Sequence, residues 1–204
     1  MNKRSATPYL LAAALALQLP LSAAYAQDDR DATAPRSSDT TRSDTPDTSK
    51  HSDMGSATKN LNADSFAKQA AVIAKAEIEL GQLALESSKD ENVRKFAQKM
   101  VTDHTASAAK LKAAAKKDNV SLPEALDAKH KATKEKLASL SGAAFDREYV
   151  KAMSKGHDEA LALFESASQS TQVSTDLKQF ASSSLPTLRE HRELAHSLHS
   201  EKGG

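Results

Sequence analysis

The 204-residue sequence has no cysteine and no tryptophan, and it has only six glycines and 4% aromatic residues. Without cysteine the chain has no disulfide, no thiolate metal site and no acceptor cysteine for a lipid. Any chemistry must therefore come from histidine, carboxylate, hydroxyl or lysine groups. The scarcity of aromatics and glycine argues against a β-sandwich and against a Rossmann unit with glycine-rich phosphate turns. An alanine-rich helical protein fits this composition better.

Neither sign of charge dominates, because 28 basic residues face 27 acidic ones and the formal net charge is +1. Nucleic-acid binding depends on clustered basic residues that neutralise phosphates, so the near-neutral balance removes the electrostatic case for a nucleic-acid partner. The length fits one globular domain with appended segments better than two full domains. A large multidomain enzyme is excluded.

The N-terminus has the pattern of a cleavable secretory signal. Lys3 and Arg4 precede an apolar run over residues 9–21, and the small residues of the 24–26 segment form a cleavage site. A retained membrane anchor is the alternative, but a spanning helix needs about 20 apolar residues and this run is shorter. We therefore predict a signal peptide over residues 1–26, no transmembrane segment after cleavage, and an exported product. Its expected location is the periplasm or the periplasmic face of the outer membrane.

A polar segment follows, in which Ser, Thr, Asp, Arg and Pro dominate and Met54 is the only large apolar residue before Leu61. Such a composition cannot bury enough surface to offset the entropy that ordering would cost. We predict a disordered linker over residues 27–61. A surface-binding arm that uses its mixed charges is the alternative.

Residues 62–200 carry the start and stop signals of a helical bundle, followed by a tail over residues 201–204. The predicted helices cover about 62–88, 90–117, 124–139, 143–168 and 175–200. No segment alternates with period two for long enough to form a strand. Short links join the first two and the last two helices, whereas the second and third long helices are about 25 residues apart. That crossover lets these two helices run parallel, which predicts an all-α, ferritin-like four-helix bundle with an extra short helix.

Each long helix has an apolar face with residues spaced three and four apart, and one ionisable residue interrupts each face near its middle. We call these four residues the polar layer: Glu77, His104, His157 and His191. Counted from the predicted helix starts, they lie at similar heights, so they can meet inside the bundle. One carboxylate and three imidazoles form a ligand set suited to zinc, copper or iron.

Acidic residues adjoin the three histidines in the sequence, namely Asp103, Asp158 and Glu190. A neighbour one position along a helix points about 100° away, so we expect these acids to support the histidines from outside or to face solvent rather than bind the ion. The polar layer also has an interpretation without metal. Buried His and Glu can satisfy one another by hydrogen bonds and set helix register with no ion present.

Five ordered segments of the bundle resemble the bacterial family called domain of unknown function 4142. They are residues 76–81, 96–104, 140–146, 157–164 and 185–191. The resemblance implies a ferritin-like bundle that is exported and often labelled an outer membrane protein. It supplies no activity.

The sequence departs from di-iron ferritin-like proteins at two positions. Those proteins place a Glu three residues before the His on two helices, whereas Val101 and Leu188 stand there in this chain. The di-iron carboxylate motif is incomplete, which argues against ferroxidase or oxygenase chemistry and against an enzyme. Pro186 is a separate feature of the last helix, where it predicts a kink or a helix restart.

Two functions follow from these observations, and the export signal, the polar linker and the lack of a complete catalytic constellation favour the first. The first is a non-catalytic cell-envelope protein, in which the bundle serves as a structural, interaction or stress-related module and binds an envelope partner or a second copy. The second is a periplasmic metal-binding bundle, in which the polar layer holds a single ion for buffering or simple redox chemistry. No catalytic residue is predicted under either hypothesis.

Overall fold

A computed structural model describes residues 61–203, so the predicted signal peptide, nearly all of the predicted linker and Gly204 lie outside the described residues. Every regular secondary-structure element within residues 61–203 is an α-helix, which confirms the all-α prediction. The helices are α1 (Ala63–Ser87), α2 (Glu91–Lys117), α3 (Ala128–Ala138), α4 (Gly142–Gln169) and α5 (Thr175–Glu201). No helix in this part of the chain is both long enough and apolar enough to cross a lipid bilayer.

Side-chain caps begin four of the five helices between residues 61 and 203. Asn62 accepts the backbone N–H of Ser65 at 2.9 Å, and the Ser65 hydroxyl accepts the backbone N–H of Asn62 at 3.1 Å. This reciprocal capping box begins α1. Asp127 accepts the backbone N–H of His130 at 2.8 Å, so α3 begins at Ala128, four residues after its predicted start at 124. The cap explains the difference, because an Asp side chain bonded to the third residue ahead favours a helix start at that point.

The direction of the helices follows from aromatic contacts. Phe66 at the start of α1 lies 5.3 Å from Phe164 near the end of α4, measured between ring centroids, so α1 and α4 are antiparallel. Phe96 near the start of α2 lies 6.2 Å from Tyr149 near the start of α4. Helices α2 and α4 therefore run parallel, as the long crossover predicted. The most extensive helix contacts are those within the α1–α2 hairpin and within the α4–α5 hairpin. Between the hairpins, α2 packs on α5 and α1 packs on α4.

The crossover helix α3 is polar and has one buried residue, Leu137. Lys134 donates to Glu79 of α1 at 2.8 Å, and Lys136 donates to Glu148 of α4 at 2.6 Å. These partly exposed pairs contribute little energy, about 0 to 1 kcal/mol each, so the burial of Leu137 is the stronger attachment. Helix α3 thus lies across α1 and α4.

The interior has two apolar clusters with the polar layer between them. One cluster is built around Phe66, Leu111, Phe164, Leu177 and Phe180, and the other around Leu80, Phe96, Met100, Phe145 and Tyr149. Leu61 is buried in the first cluster, and its carbonyl accepts the Ser170 hydroxyl at 2.9 Å. Leu61, the last residue of the predicted linker, is therefore packed with the bundle.

Helix α5 continues through Pro186, so the structure contains one helix over Thr175–Glu201 and no restart. Proline leaves the carbonyl four residues earlier without its usual helical donor. Nearby hydroxyls bond to the backbone of this stretch, since Ser183 and Ser184 both donate to the Phe180 carbonyl.

Candidate metal centre

The structure brings the four residues of the polar layer together near the middle of the bundle. Glu77 lies on α1, His104 on α2, His157 on α4 and His191 on α5, and all four side chains are buried. Their helices meet at mid-length because antiparallel helices of similar length, joined by short links, align their centres. Four separate apolar faces thus contribute one polar group each to the same level.

The distances within this layer are short. The ring centroids of His104, His157 and His191 lie 5.2 to 5.8 Å apart, and one nitrogen from each ring lies within 4.8 Å of the other two. Glu77 Oε2 lies 2.8 Å from His104 Nε2, and Glu77 Oε1 lies 3.6 Å from His157 Nδ1. The 2.8 Å contact is not aligned as a hydrogen bond. Two ligand atoms on one zinc-sized ion lie about 3 Å apart, which is close to the distance between Glu77 Oε2 and His104 Nε2.

Contacts outside the layer determine which ring nitrogens are free. His157 donates from Nδ1 to the carbonyl of Met153 at 2.8 Å, so in the neutral ring Nε2 keeps a lone pair. His191 donates from Nε2 to Asp103 Oδ2 at 2.8 Å, which leaves the lone pair on Nδ1. A carbonyl or carboxylate that holds the outer nitrogen of a histidine is the usual support of a metal ligand.

Five polar atoms of the layer are buried without a hydrogen-bond partner in the part of the chain described, residues 61–203. They are Glu77 Oε1, Glu77 Oε2, His104 Nε2, His157 Nε2 and His191 Nδ1. An unsatisfied buried polar group costs about 1 to 3 kcal/mol, and more when it is charged. This group of unsatisfied atoms fits a site that a cation completes, because a single ion can accept lone pairs from three imidazoles and a carboxylate.

The electrostatics of the layer favour an ionised carboxylate. Burial raises the pKa of Glu77, but the attraction of His104 and His157 outweighs burial and lowers the pKa from 4.5 to about 2. Burial lowers the pKa of His104, yet its proximity to Glu77 raises that pKa overall. A negative carboxylate in a bundle core is suited to a cation.

His191 behaves differently from His104. Burial lowers its pKa, the hydrogen bond to Asp103 opposes this, and repulsion from His104 and His157 adds to it, so the pKa falls from 6.5 to about 4. His191 is therefore neutral at ordinary pH, which is the form that binds a metal. Lys99 lies 3.1 Å from both Asp103 and Glu190 and joins them in a charged network at the surface.

The three neighbouring acids have different positions. Asp103 touches the layer, but it bonds to His191 on α5 and not to the adjacent His104. Asp158 pairs with Arg192 and His196, and Glu190 pairs with Lys99. Of the three candidate supports, the structure therefore brings only Asp103 to a histidine of the layer.

Sequence reasoning missed two features of this site. It did not identify the Met153 carbonyl as the partner of His157, because a backbone acceptor has no signature in residue type. It also did not pair Asp103 with His191, although the 100° offset between adjacent helix positions turns Asp103 away from His104 and toward a neighbouring helix.

The positions that carry Glu in di-iron proteins hold packing residues here. A Cβ atom placed on Gly81 would lie 2.9 Å from Val101 Cγ2, so Val101 fills the contact between α1 and α2. Leu188 is buried in the first apolar cluster. A bridging carboxylate is therefore absent from both positions, and the four residues of the layer suit one ion better than two.

Comparisons with known proteins show a family and a fold. The profile of the family described as Domain of unknown function (DUF4142) matches residues 48–198. No curated protein matches the chain.

Two solved structures have the same fold. The "putative secreted protein DUF305 from Streptomyces coelicolor" is 18% identical, with a TM-score of 0.58, and the alignment covers 70% of this chain and 94% of that one. A DUF305 fragment from Deinococcus radiodurans is 15% identical, with a TM-score of 0.57, over 69% of this chain and 99% of that one. At these identities the similarity shows the fold alone.

Proposed function

Since this chain belongs to the family described as Domain of unknown function (DUF4142), whose activity is unknown, we propose a function from the polar layer itself: the bundle binds one divalent transition-metal ion. The ligands are one nitrogen each from His104, His157 and His191 and a carboxylate oxygen from Glu77. Three imidazoles and one carboxylate suit zinc, copper and iron, and geometry rather than residue type decides among these metals.

The five unpartnered atoms carry this proposal. A polar layer held by hydrogen bonds alone pairs its donors with its acceptors. Here His157 Nε2 and His191 Nδ1 have lone pairs and no donor, and the carboxylate of Glu77 has no aligned donor either. An ion satisfies these groups together, whereas no arrangement of neutral imidazoles supplies enough N–H groups, because two of the three rings already donate outward.

The hydrogen bonds outside the layer support the same conclusion. Asp103 and the Met153 carbonyl each hold one ring nitrogen and so fix the orientation of His191 and His157. Partners of this kind raise the basicity of a ligand and reduce the entropy that binding costs. The rings are thus oriented for an ion before it arrives.

We place this bundle outside the inner membrane. The signal pattern over residues 1–26 favours export, and so does the Streptomyces coelicolor neighbour, which is described as a "putative secreted protein". Metal buffering or simple redox chemistry in the periplasm is the role that fits a single site without di-iron carboxylates. The non-catalytic envelope module stays a prediction, as do its stress role, an envelope partner and a homo-oligomer.

The test is metal analysis and titration calorimetry on the purified mature protein with Zn²⁺, Cu²⁺ and, without oxygen, Fe²⁺. We expect one ion per chain for at least one metal, and loss of that binding in the His104→Ala, His157→Ala double variant. The matched control is the His130→Ala, His196→Ala double variant, which removes two histidines outside the layer.

Stability in chelator separates loss of ligands from loss of fold. Removal of two buried imidazoles leaves Glu77 charged and alone, so we expect the double variant to lose about 1 to 3 kcal/mol without any metal present. Circular dichroism checks that it remains helical. If the wild type and the folded double variant bind every metal equally weakly, the proposed function is wrong.

A further inference from the structure

A cavity of about 400 Å³ opens between α2 and α5 and reaches the polar layer. We call it the α2/α5 cavity. His104 and His191 form part of its wall, and the apolar side chains of Ile73, Phe164 and Phe180 form another part. This volume lies within the range of small-molecule sites, which are largely apolar with a few convergent polar groups.

The packing of the bundle explains why the cavity lies there. Each hairpin packs closely, whereas the contact between α2 and α5 joins different hairpins and is less extensive. Small residues line this gap, including Ala74 of α1, Ser107 of α2 and Ser184 of α5. Short side chains leave space that the neighbouring apolar cluster does not fill.

The cavity approaches the proposed ion from one side only. Glu77 and His157 are not in its wall, and Glu77 instead borders a second cavity of about 420 Å³ beneath α3, together with Met153 and Gly156. The α2/α5 cavity therefore meets the polar layer at His104 and His191. Within residues 61–203, the carboxylates that line this cavity are those of Asp103 and Glu190, and Lys99 pairs with both.

We propose that the α2/α5 cavity binds a small organic monocarboxylate, whose charged end coordinates the metal ion and whose apolar chain packs against Phe164 and Phe180. This inference rests on the proposed function. A divalent ion with Glu77 as its one anionic ligand keeps a net positive charge, which attracts an anion in a poorly solvated interior. Lys110 at the cavity wall adds a positive charge.

The two ends of the cavity determine the class of ligand. The imidazole end favours a group that can displace water from a metal, and a carboxylate does so without any covalent or redox step. The aromatic end favours an alkyl chain, because each buried methylene contributes about 0.8 kcal/mol. Inorganic anions and neutral alcohols each match only one of these ends.

The test uses the full mature protein loaded with Co²⁺, a spectroscopic probe of the metal environment. Acetate and hexanoate are titrated separately, and the change in the visible Co²⁺ spectrum gives both affinities. We expect hexanoate to bind at least about tenfold tighter than acetate, since its longer chain reaches the apolar wall.

A pair of variants localises the ligand. Ser107→Leu fills the α2/α5 cavity, and Ala152→Leu fills the cavity beneath α3 by a similar change. We expect both variants to bind Co²⁺ like the wild type, and only Ser107→Leu to lose hexanoate binding, by at least about tenfold. If Ser107→Leu does not fold, Ser184→Leu fills the same cavity from α5.

The outcomes separate this inference from the proposed function. Co²⁺ binding with no spectral response to hexanoate overturns the carboxylate site and leaves metal binding intact. Equal affinities for acetate and hexanoate, or unchanged hexanoate binding in Ser107→Leu, also overturn it. Absence of Co²⁺ binding, together with failure of the other metals, overturns both proposals.

Discussion

At the scale of single residues, the site depends on which partner each of the two nitrogens of an imidazole has. His157 and His191 each use one nitrogen to donate a hydrogen bond outward and leave the other unpartnered inside the layer. Their partners differ, since His157 bonds to a backbone carbonyl and His191 to the Asp103 carboxylate. The carboxylate is the contact that a substitution can remove without disturbing the backbone.

Asp103→Asn is expected to weaken metal binding by about 10- to 100-fold, because the amide no longer fixes the ring and tautomer of His191 as the carboxylate does. Calorimetric titration with the best-bound metal measures the change. The control is Glu190→Gln. Glu190 precedes His191 in the sequence as Asp103 precedes His104, but it contacts Lys99 rather than a histidine of the layer. Equal affinities for the two variants would contradict the positioning role of Asp103.

The metal-free protein is expected to lose stability as the pH falls from about 6.5 to about 4. Burial, with repulsion from His104 and His157, lowers the pKa of His191 from 6.5 to about 4 in the folded state. The unfolded chain therefore binds more protons in this window, so the free energy of unfolding rises with pH there and falls as the pH drops. His191 contributes up to about 3 kcal/mol of this loss.

Urea unfolding in chelator at several pH values measures the effect. His191→Gln removes the titrating group, and its free energy of unfolding should change less between pH 6.5 and 4 than that of the wild type. His104 acts in the opposite sense, because its folded pKa is raised and its contribution is lost as the pH rises. Parallel pH profiles for the wild type and His191→Gln would show that His191 does not titrate in this window.

At the scale of helices, one glycine allows the close approach of α1 and α2. Gly81 lets α1 approach α2, since a Cβ atom at this position would lie 3.1 Å from the Ala97 carbonyl and still closer to Val101. Gly156 has no such neighbour, because its Cβ would lie 3.8 Å from Glu77 Oε1, an ordinary contact. Two helical glycines with the same local cost thus have different tertiary roles.

The two glycines form a matched pair for substitution by alanine. Alanine in a helix is favoured over glycine by about 0.5 to 1 kcal/mol, so Gly156→Ala should stabilise the metal-free protein by that order. Gly81→Ala gains the same helix propensity but forces α1 and α2 apart. We therefore expect its free energy of unfolding to fall by about 1 to 2 kcal/mol in total. Urea unfolding in chelator measures both changes. Stabilisation by Gly81→Ala would mean that the hairpin tolerates a wider spacing.

At the scale of the whole molecule, the contacts described for the polar layer join residues within 61–203. The two apolar clusters on either side of the layer are described in the same part of the chain. The predicted roles of the segment before Leu61, export and a polar linker, concern where the bundle is located.

A chain that begins at residue 61 is therefore expected to bind metal as tightly as the mature protein from residue 27. Its melting temperature should also match, and the same ion should raise both melting temperatures equally, because binding to the folded state alone stabilises by mass action. Calorimetry and thermal melts compare the two chains. A weaker site in the shorter chain would show that residues before Leu61 contribute to it.

Much of this protein follows from the sequence alone. The spacing of apolar residues predicted four long helices, and the long crossover predicted that α2 and α4 run parallel. The interruption of each apolar face predicted that Glu77 and three histidines meet. These inferences succeed because helical periodicity and link length are local properties of the chain, and the mid-helix position of each residue transfers directly to its height in an aligned bundle.

The partners of the polar layer and of its neighbouring acids, in contrast, depend on the tertiary structure. It directed Asp103 to His191, left Asp158 and Glu190 with other charges, and opened a cavity at α2 and α5. These features depend on the rotation of each helix about its axis and on the distance between hairpins. Both quantities result from the packing of all core side chains at once, so no single segment of the sequence contains them.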